Sequence, residues 1–205
     1  MLDFGDLSPR QRRHLRTKEA ILDAARQIIR EDGPDGLSMR QIADRIDYSA
    51  AGLYEYFGSK EEIVTAVCHR GHERLAAYMM QVEPNLSPAV YLNAIGQQYI
   101  NFALQNPDLY KLMFMTVTLP QDSELGVAGD GSSYGILLQA IQSGIDSGDF
   151  KVRMGYGLQE MAYAAWALVH GIAMLRLTYL EQFPADFDVV DQEVLRTLGD
   201  GLMAG

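Results

Sequence analysis

Residues 37–62 read Leu37-Ser38-Met39-Arg40-Gln41-Ile42-Ala43-Asp44-Arg45-Ile46-Asp47-Tyr48-Ser49-Ala50-Ala51-Gly52-Leu53-Tyr54-Glu55-Tyr56-Phe57-Gly58-Ser59-Lys60-Glu61-Glu62. Ser38 is placed to cap a short helix, Met39 to Ile46, that carries Ile42 and Ala43 on one side. Asp47-Tyr48-Ser49 leaves room only for a tight turn, and Asp tolerates the left-handed conformation that such a turn requires. A second short helix follows, Ala50 to Tyr56. Ser59 with Glu62 three residues on is a capping box, and it opens a long helix to about Gln81. Two short helices joined by a three-residue turn make a helix-turn-helix, with Ile42, Ile46, Leu53 and Phe57 on its inner side.

Working outward, the N-terminal flank holds Ile21, Leu22, Ala25, Ile28 and Ile29 at helical spacing. They predict an amphipathic helix from Thr17 to about Glu31, ended by Gly33-Pro34-Asp35-Gly36. Before it, Arg10, Arg12, Arg13, Arg16 and Lys18 fall within nine residues that contain no acid. Such a run is either a solvated terminus or an arm for nucleic acid. On the C-terminal side, Pro84 and Pro88 bracket a linker. Helices are predicted at roughly 87–105, 107–117, 132–147, 155–182 and 188–203, with a glycine-rich surface loop at 120–135. No alternating apolar pattern of the β kind appears. The expected fold is all-α: a helix-turn-helix domain over 1–62 and a helical bundle over 63–205.

Charge divides along the same line. The chain has 205 residues and a formal charge of −10. Residues 1–60 hold ten basic and ten acidic side chains, so the whole excess of acid lies beyond them. That sign argues against a protein that coats nucleic acid or an anionic membrane, and leaves a locally basic site as the option. The single cysteine, Cys68, excludes an internal disulfide and fits a reduced cytoplasm. The start is acidic, unlike a signal peptide, and the apolar stretch Met161–Leu175 is too short to span a bilayer.

Leu37–Ala43 and Tyr48–Ile63 resemble the N-terminal domain of TetR-type transcriptional regulators, over about residues 15–65. The resemblance implies a homodimer that places one helix of each copy in a DNA major groove and binds a small-molecule inducer among its C-terminal helices. It implies phosphate contacts from Tyr54, from Tyr56 where the family commonly has His, from Lys60 at a helix start, and from Ser38. Arg40 matches a position that reaches phosphate or a base edge. Base reading falls to Arg40, Ser49, Ala50, Ala51 and Tyr54; the alanines offer only methyl contacts, suited to thymine.

Asn106-Pro107-Asp108-Leu109-Tyr110-Lys111-Leu112-Met113-Phe114 and Trp166-x-x-x-His170-Gly171 resemble a C-terminal subclass of that family named for its Trp-His-Gly signature. The helix 155–182 is apolar nearly all round between Met161 and Leu175, so both its faces should be buried, one of them against helix 188–203 and a second subunit. Ala162, Ala165, Gly171 and Ala173 are the small residues for that approach, and Ala165 and Leu195 stand as interface positions. Phe102, Tyr110, Met113, Phe114, Tyr163, Trp166 and His170, with Tyr99 and Met115 beside them, form an aromatic and Met-rich set. It reads either as core or as the wall of a pocket for an apolar or aromatic effector. His170 is either a ligand contact or a satisfied core histidine. No cofactor, metal site or catalytic arrangement emerges: His69, His72 and Glu73 lack a further ligand, and Cys68 lacks an activating partner. The expectation is a ligand-responsive repressor on a near-palindromic operator, its recognition helices about one DNA turn, ~34 Å, apart and linked to the bundle through helix 59–81. The alternative is a small-molecule-sequestering protein with a vestigial DNA-binding domain.

Overall fold

The computed structural model describes residues 8–116 and 131–203. Its helices are α1 (Pro9–Asp32), α2 (Met39–Arg45), α3 (Ala50–Leu53), α4 (Lys60–Met79), α5 (Pro88–Gln105), α6 (Pro107–Lys111), α7 (Ser133–Asp146), α8 (Leu158–Arg176) and α9 (Phe187–Met203). A 3-10 turn, Pro34–Gly36, follows α1, and a π turn, Leu112–Thr116, continues α6. Among the described residues there is no β-strand, only the isolated bridge between Arg153 and Tyr156. No described helix is long and apolar enough to cross a membrane. The expected loop at 120–135 lies largely outside the described residues.

The chain forms two compact units. One holds the described residues up to Gly71 and the segment starting at Lys111; the other holds His72–Tyr110 and the described residues from 131 on. In the first, α1 packs against α2 and α2 against α3, and the buried apolar side chains are Ile21, Leu22, Ala25, Ile28 and Ile29 of α1, Ile42 and Ala43 of α2, and Leu53, Phe57, Ile63 and Val67. In the second, α5 packs against α7, α8 and α9. Gly96 lets them close: a Cβ there would lie 3.1 Å from Leu195 Cδ2 and 3.3 Å from Val169 Cγ1. At the far end of α8 the Arg176 guanidinium binds Asp188 at 2.8 Å and the buried Asp191 at 2.7 Å, and lies over the Phe187 ring.

The short helices are set by their caps. Ser38 accepts from the Gln41 N–H and Ser49 from the Gly52 N–H. Between them Asp47 adopts φ 52°, the only positive φ outside glycine among the described residues. With Asp47 in that conformation, the Tyr48 N–H reaches the Ala43 carbonyl at 2.9 Å, the six-to-one bond of a Schellman closure.

Several boundaries differ from the expectation. α1 begins at Pro9 rather than Thr17, because Ser8 caps it: its hydroxyl accepts from the Gln11 N–H and its own N–H donates to Gln11 Oε1. The basic run is therefore helical surface, not an extended arm. α3 ends at Leu53, its chain continuing as turns to Tyr56. At α4 the Glu62 carboxylate bypasses Ser59 and takes the Gly58 N–H at 2.6 Å, while Ser59 caps Glu62. α8 is shorter at both ends: Gly155 turns with φ 72° before it, and after it the Leu180 N–H closes a wide turn on the Leu175 carbonyl. Only one face of α8 is buried, through Met161, Ala162, Ala165, Val169 and Ala173, while Tyr163 and Leu175 are exposed.

A left-handed aspartate costs on the order of 1 kcal/mol more than glycine. Asp47→Gly should therefore raise the denaturant midpoint, and Asp47→Val, β-branched at positive φ, should lower it by at least as much. Equal midpoints for all three proteins in urea would show that the turn is not held at this angle in solution.

Candidate nucleic-acid interface and bundle cluster

The outer side of the helix-turn-helix carries the residues expected to meet DNA. Arg40 is exposed on α2, with only a loose contact of 3.8 Å to Asp44, one turn on. Ser49 and Ala51 are exposed on α3, Ala50 is half-buried, and Tyr54 is 57% exposed just beyond it. Leu53, between them in sequence, faces the core. Ser38 is half-buried, its hydroxyl occupied by Gln41. Lys60 starts α4, where the free N–H groups and the helix dipole favour an anion. Tyr56 is half-buried: its hydroxyl lies 3.4 Å from that of Tyr48, and its ring stacks on His14. Arg10, Arg13 and Arg16 are exposed along α1. A cleft of about 290 Å³ on this unit is lined by Ile28, Asp32, Gln41, Asp44 and Arg45 and includes none of the expected DNA contacts.

The ligand set divides. Tyr110, Trp166 and His170 come together with Tyr99 in one cluster of the bundle. Trp166 Nε1–H donates to the Tyr99 hydroxyl at 3.3 Å. The Tyr99 and Tyr110 hydroxyls are 3.0 Å apart, and that of Tyr110 is 2.7 Å from His170 Nδ1, with Tyr99 at 3.2 Å from the same nitrogen. Indole can only donate, so Tyr99 accepts from Trp166, and the Tyr99 and Tyr110 hydroxyls with His170 Nδ1 complete a network of uncharged groups. The environment agrees. Burial lowers the His170 pKa, pushes the Tyr99 phenol up to about 12, and raises Tyr110 further. The cluster thus presents neutral donors and acceptors inside aromatic walls, with Tyr134 edge-on to Trp166.

The other four are placed as follows. Phe102 is buried against Tyr78. Met113, buried, and Phe114, half-buried, belong to the segment grouped with the N-terminal unit. Tyr163 is 68% exposed. Sequence reasoning placed Tyr99 in the aromatic set without seeing that it links Trp166 to Tyr110. Its spacing within α5 gives no sign of partners 11 and 67 residues away. Cys68 is buried, which pushes its thiol up to about 11 and leaves it a poor nucleophile at neutral pH.

Comparison with known proteins supplies the relationships. Residues 21–67 match the family of bacterial regulatory proteins described as the tetR family, and residues 92–198 match the tetracyclin repressor-like C-terminal domain. The chain is 22% identical over 189 residues to the uncharacterized HTH-type transcriptional regulator YobS of Bacillus subtilis, covering 91% of this chain and 93% of that one. It is 33% identical over 75 residues to the HTH-type transcriptional repressor KstR of Mycolicibacterium smegmatis, covering 37% and 34%. A protein of unknown function from Rhodococcus sp. RHA1 shares the fold over 100% of both chains, with TM-score 0.78 and 23% identity. A tetR family regulator structure from Shewanella sp. PV-4 shares it over 92% and 98%, with TM-score 0.68 and 19% identity.

The lowered His170 pKa has a consequence for stability. The unfolded ring takes up a proton near its ordinary value of 6.5, while the folded ring resists. The contribution of His170 to stability is therefore whole above that value and is lost as pH falls through and below it. Urea unfolding between pH 7.5 and 5 should show stability declining toward acid, and His170→Gln, which keeps an acceptor but does not titrate, should flatten part of that decline. An unchanged slope in the variant would remove His170 as its source.

Proposed function

This chain belongs to the tetR family of bacterial regulatory proteins, and on that premise we propose that it is a ligand-responsive repressor that binds a near-palindromic operator as a homodimer. The observation that carries the reading is the exposed outer side of the helix-turn-helix, where Arg40, Ser49, Ala51 and Tyr54 stand free of the core beside a basic helical surface. The DNA-binding domain is residues 1–62 and the ligand-binding and dimerisation domain 63–205. Ser38, Tyr54, Tyr56 and Lys60 position the protein on phosphates; Arg40, Ser49, Ala50 and Ala51 meet bases. The cytoplasm is the compartment this requires.

The effector site is built around Tyr110, Trp166 and His170, with Phe102, Met113, Phe114 and Tyr163 as the remaining candidates, and the Trp-His-Gly subclass is the branch that these residues favour. Aromatic walls with a few neutral polar groups suit an apolar or aromatic effector bearing a hydroxyl or carbonyl. Effector and operator then favour different arrangements of the dimer, and α4 is one covalent route between the two units.

The dimer surface is the outer side of α8 and α9. Of the large apolar side chains that are exposed among the described residues, half lie at or beyond Tyr163: Leu175, Tyr179, Phe183, Val189, Val190 and Met203 are the others. Such a concentration favours a partner. Ala165 and Leu195, expected at the interface, are instead 4% exposed within their own chain, Leu195 against Gly96, so they are core positions.

Two measurements test the proposal. Sedimentation at micromolar concentration should give a dimer, and Leu175→Glu with Val190→Glu should shift it to monomer; a stable monomer of the unaltered chain would reject the interface. On DNA, Lys60→Ala should weaken an operator selected from random sequence and a random duplex alike and flatten the salt dependence. Arg40→Ala should cost about 1–3 kcal/mol of discrimination on the operator alone. Equal loss on both DNAs would move Arg40 to the phosphate class, and no DNA binding at all would favour a sequestering protein.

A further inference from the structure

Tyr48, Gly52 and Tyr56 recur at intervals of four through α3 and its flanking turns, so one flank of that segment carries two phenols. Gly52 makes this arrangement possible. A Cβ there would lie 2.7 Å from Tyr48 Cε1 and 3.1 Å from Cδ1, so the Tyr48 ring rests on bare backbone. The two hydroxyls come within 3.4 Å, and the rings meet edge-on with centroids 6.1 Å apart. The Tyr56 ring also stacks on His14 of α1, centroids 4.7 Å apart and planes inclined by 24°. One turn further along α1, the Lys18 ammonium lies 5.0 Å over the Phe57 ring. Arg10, His14 and Lys18 share a helix face by spacing, so a basic strip runs alongside the aromatic one.

None of the three rings is fully buried, Tyr56 being half-buried. His14 and Tyr48 are exposed, and the apolar interior beneath is filled by Ile42, Leu53 and Phe57. At 3.4 Å the mutual hydroxyl contact is long for an O–H···O bond, so both hydroxyls keep donor capacity for a better acceptor. Their contact raises the Tyr48 pKa, which keeps that phenol protonated and donating at neutral pH. When the outer face of a short helix enters a major groove, its flank faces the sugar-phosphate wall, and a phosphodiester offers charged oxygens to several donors at once.

We infer that Tyr48 and Tyr56 together grip a single backbone phosphate of DNA, and that His14 is the positioning residue that holds the Tyr56 ring for it. The inference rests on the DNA-binding reading above. It predicts a contact of an unusual kind, because a phenol donates a hydrogen bond without carrying charge and so releases no counterion.

The test uses the full chain and a mixed-sequence duplex of about three helical turns, with binding followed by fluorescence anisotropy across a salt series. Tyr48→Phe and Tyr56→Phe should each weaken binding about fivefold while leaving the slope against log salt unchanged. Lys60→Ala, measured in parallel, should flatten that slope. His14→Ala should weaken binding as Tyr56→Phe does, and His14→Phe, which keeps the stack, should restore it to within about twofold. Unchanged thermal midpoints show that the variants are folded. If the unaltered chain fails to bind the duplex at low salt, the DNA-binding reading falls, and this one with it. If Lys60→Ala binds less tightly but Tyr48→Phe matches the unaltered chain, the phosphate grip is overturned while DNA binding stands. If His14→Phe is as weak as His14→Ala and has a flatter slope, His14 is a charged contact and its positioning role is overturned.

Discussion

The surface offered to DNA depends on a closure of three residues. α2 and α3 are too short to hold any orientation by themselves, since isolated helices of one or two turns are not stable in water. Their relation is imposed by Asp47 at φ 52°, by the Tyr48 N–H on the Ala43 carbonyl, and by the two serine caps that fix where each helix starts. The closure has a second effect. It delivers Tyr48 to the flank of α3, where a missing Cβ at Gly52 receives it. One backbone conformation thereby decides both which residues face outward and what lines the side of the recognition segment.

The same logic explains which parts of the structure could be read from the chain. Most helix starts were legible from the serine or proline that marks them: Ser38, Ser49, Pro88, Pro107 and Ser132 all stand at or beside the observed boundaries. The start of α1 was marked too, by Ser8-Pro9 with Gln11, but the basic charge of the next residues drew the reading toward an arm. Helix ends were harder, because α8 stops through a backbone turn after Arg176 that no proline or glycine announces at that point. Face assignment failed where composition is uniform. Between Met161 and Leu175 nearly every residue is apolar, so period alone does not say that Ala165 looks inward while Leu175 looks out. Of the site, the outer residues of the helix-turn-helix follow from local spacing. The Tyr99–Tyr110–His170–Trp166 cluster does not, since its members join only through the packing of α5, α6 and α8.

That cluster also shows why a polar group can stand in this bundle. Two phenols, an indole and an imidazole each carry a hydrogen-bonding atom whose burial would be costly if unpaired. Here the indole N–H, both hydroxyls and His170 Nδ1 each lie within hydrogen-bonding distance of another member, and burial favours the neutral form of the histidine. A ligand group that entered would have to match the hydrogen bonds it displaced.

Charge sets the last constraint. With −10 on each chain, the proposed dimer would approach DNA against a repulsive background and with few cations. Four arginines and a lysine between residues 10 and 18 supply much of the local attraction, but salt screens such contacts. Neutral donors have the opposite character: they contribute only at contact distance and are indifferent to ionic strength. A surface that combines exposed arginines on α1 with phenols at Tyr48, Tyr54 and Tyr56 divides the work accordingly. In the proposed complex the charges would draw the acidic dimer in, and the phenols would hold registration on the phosphates once it has arrived.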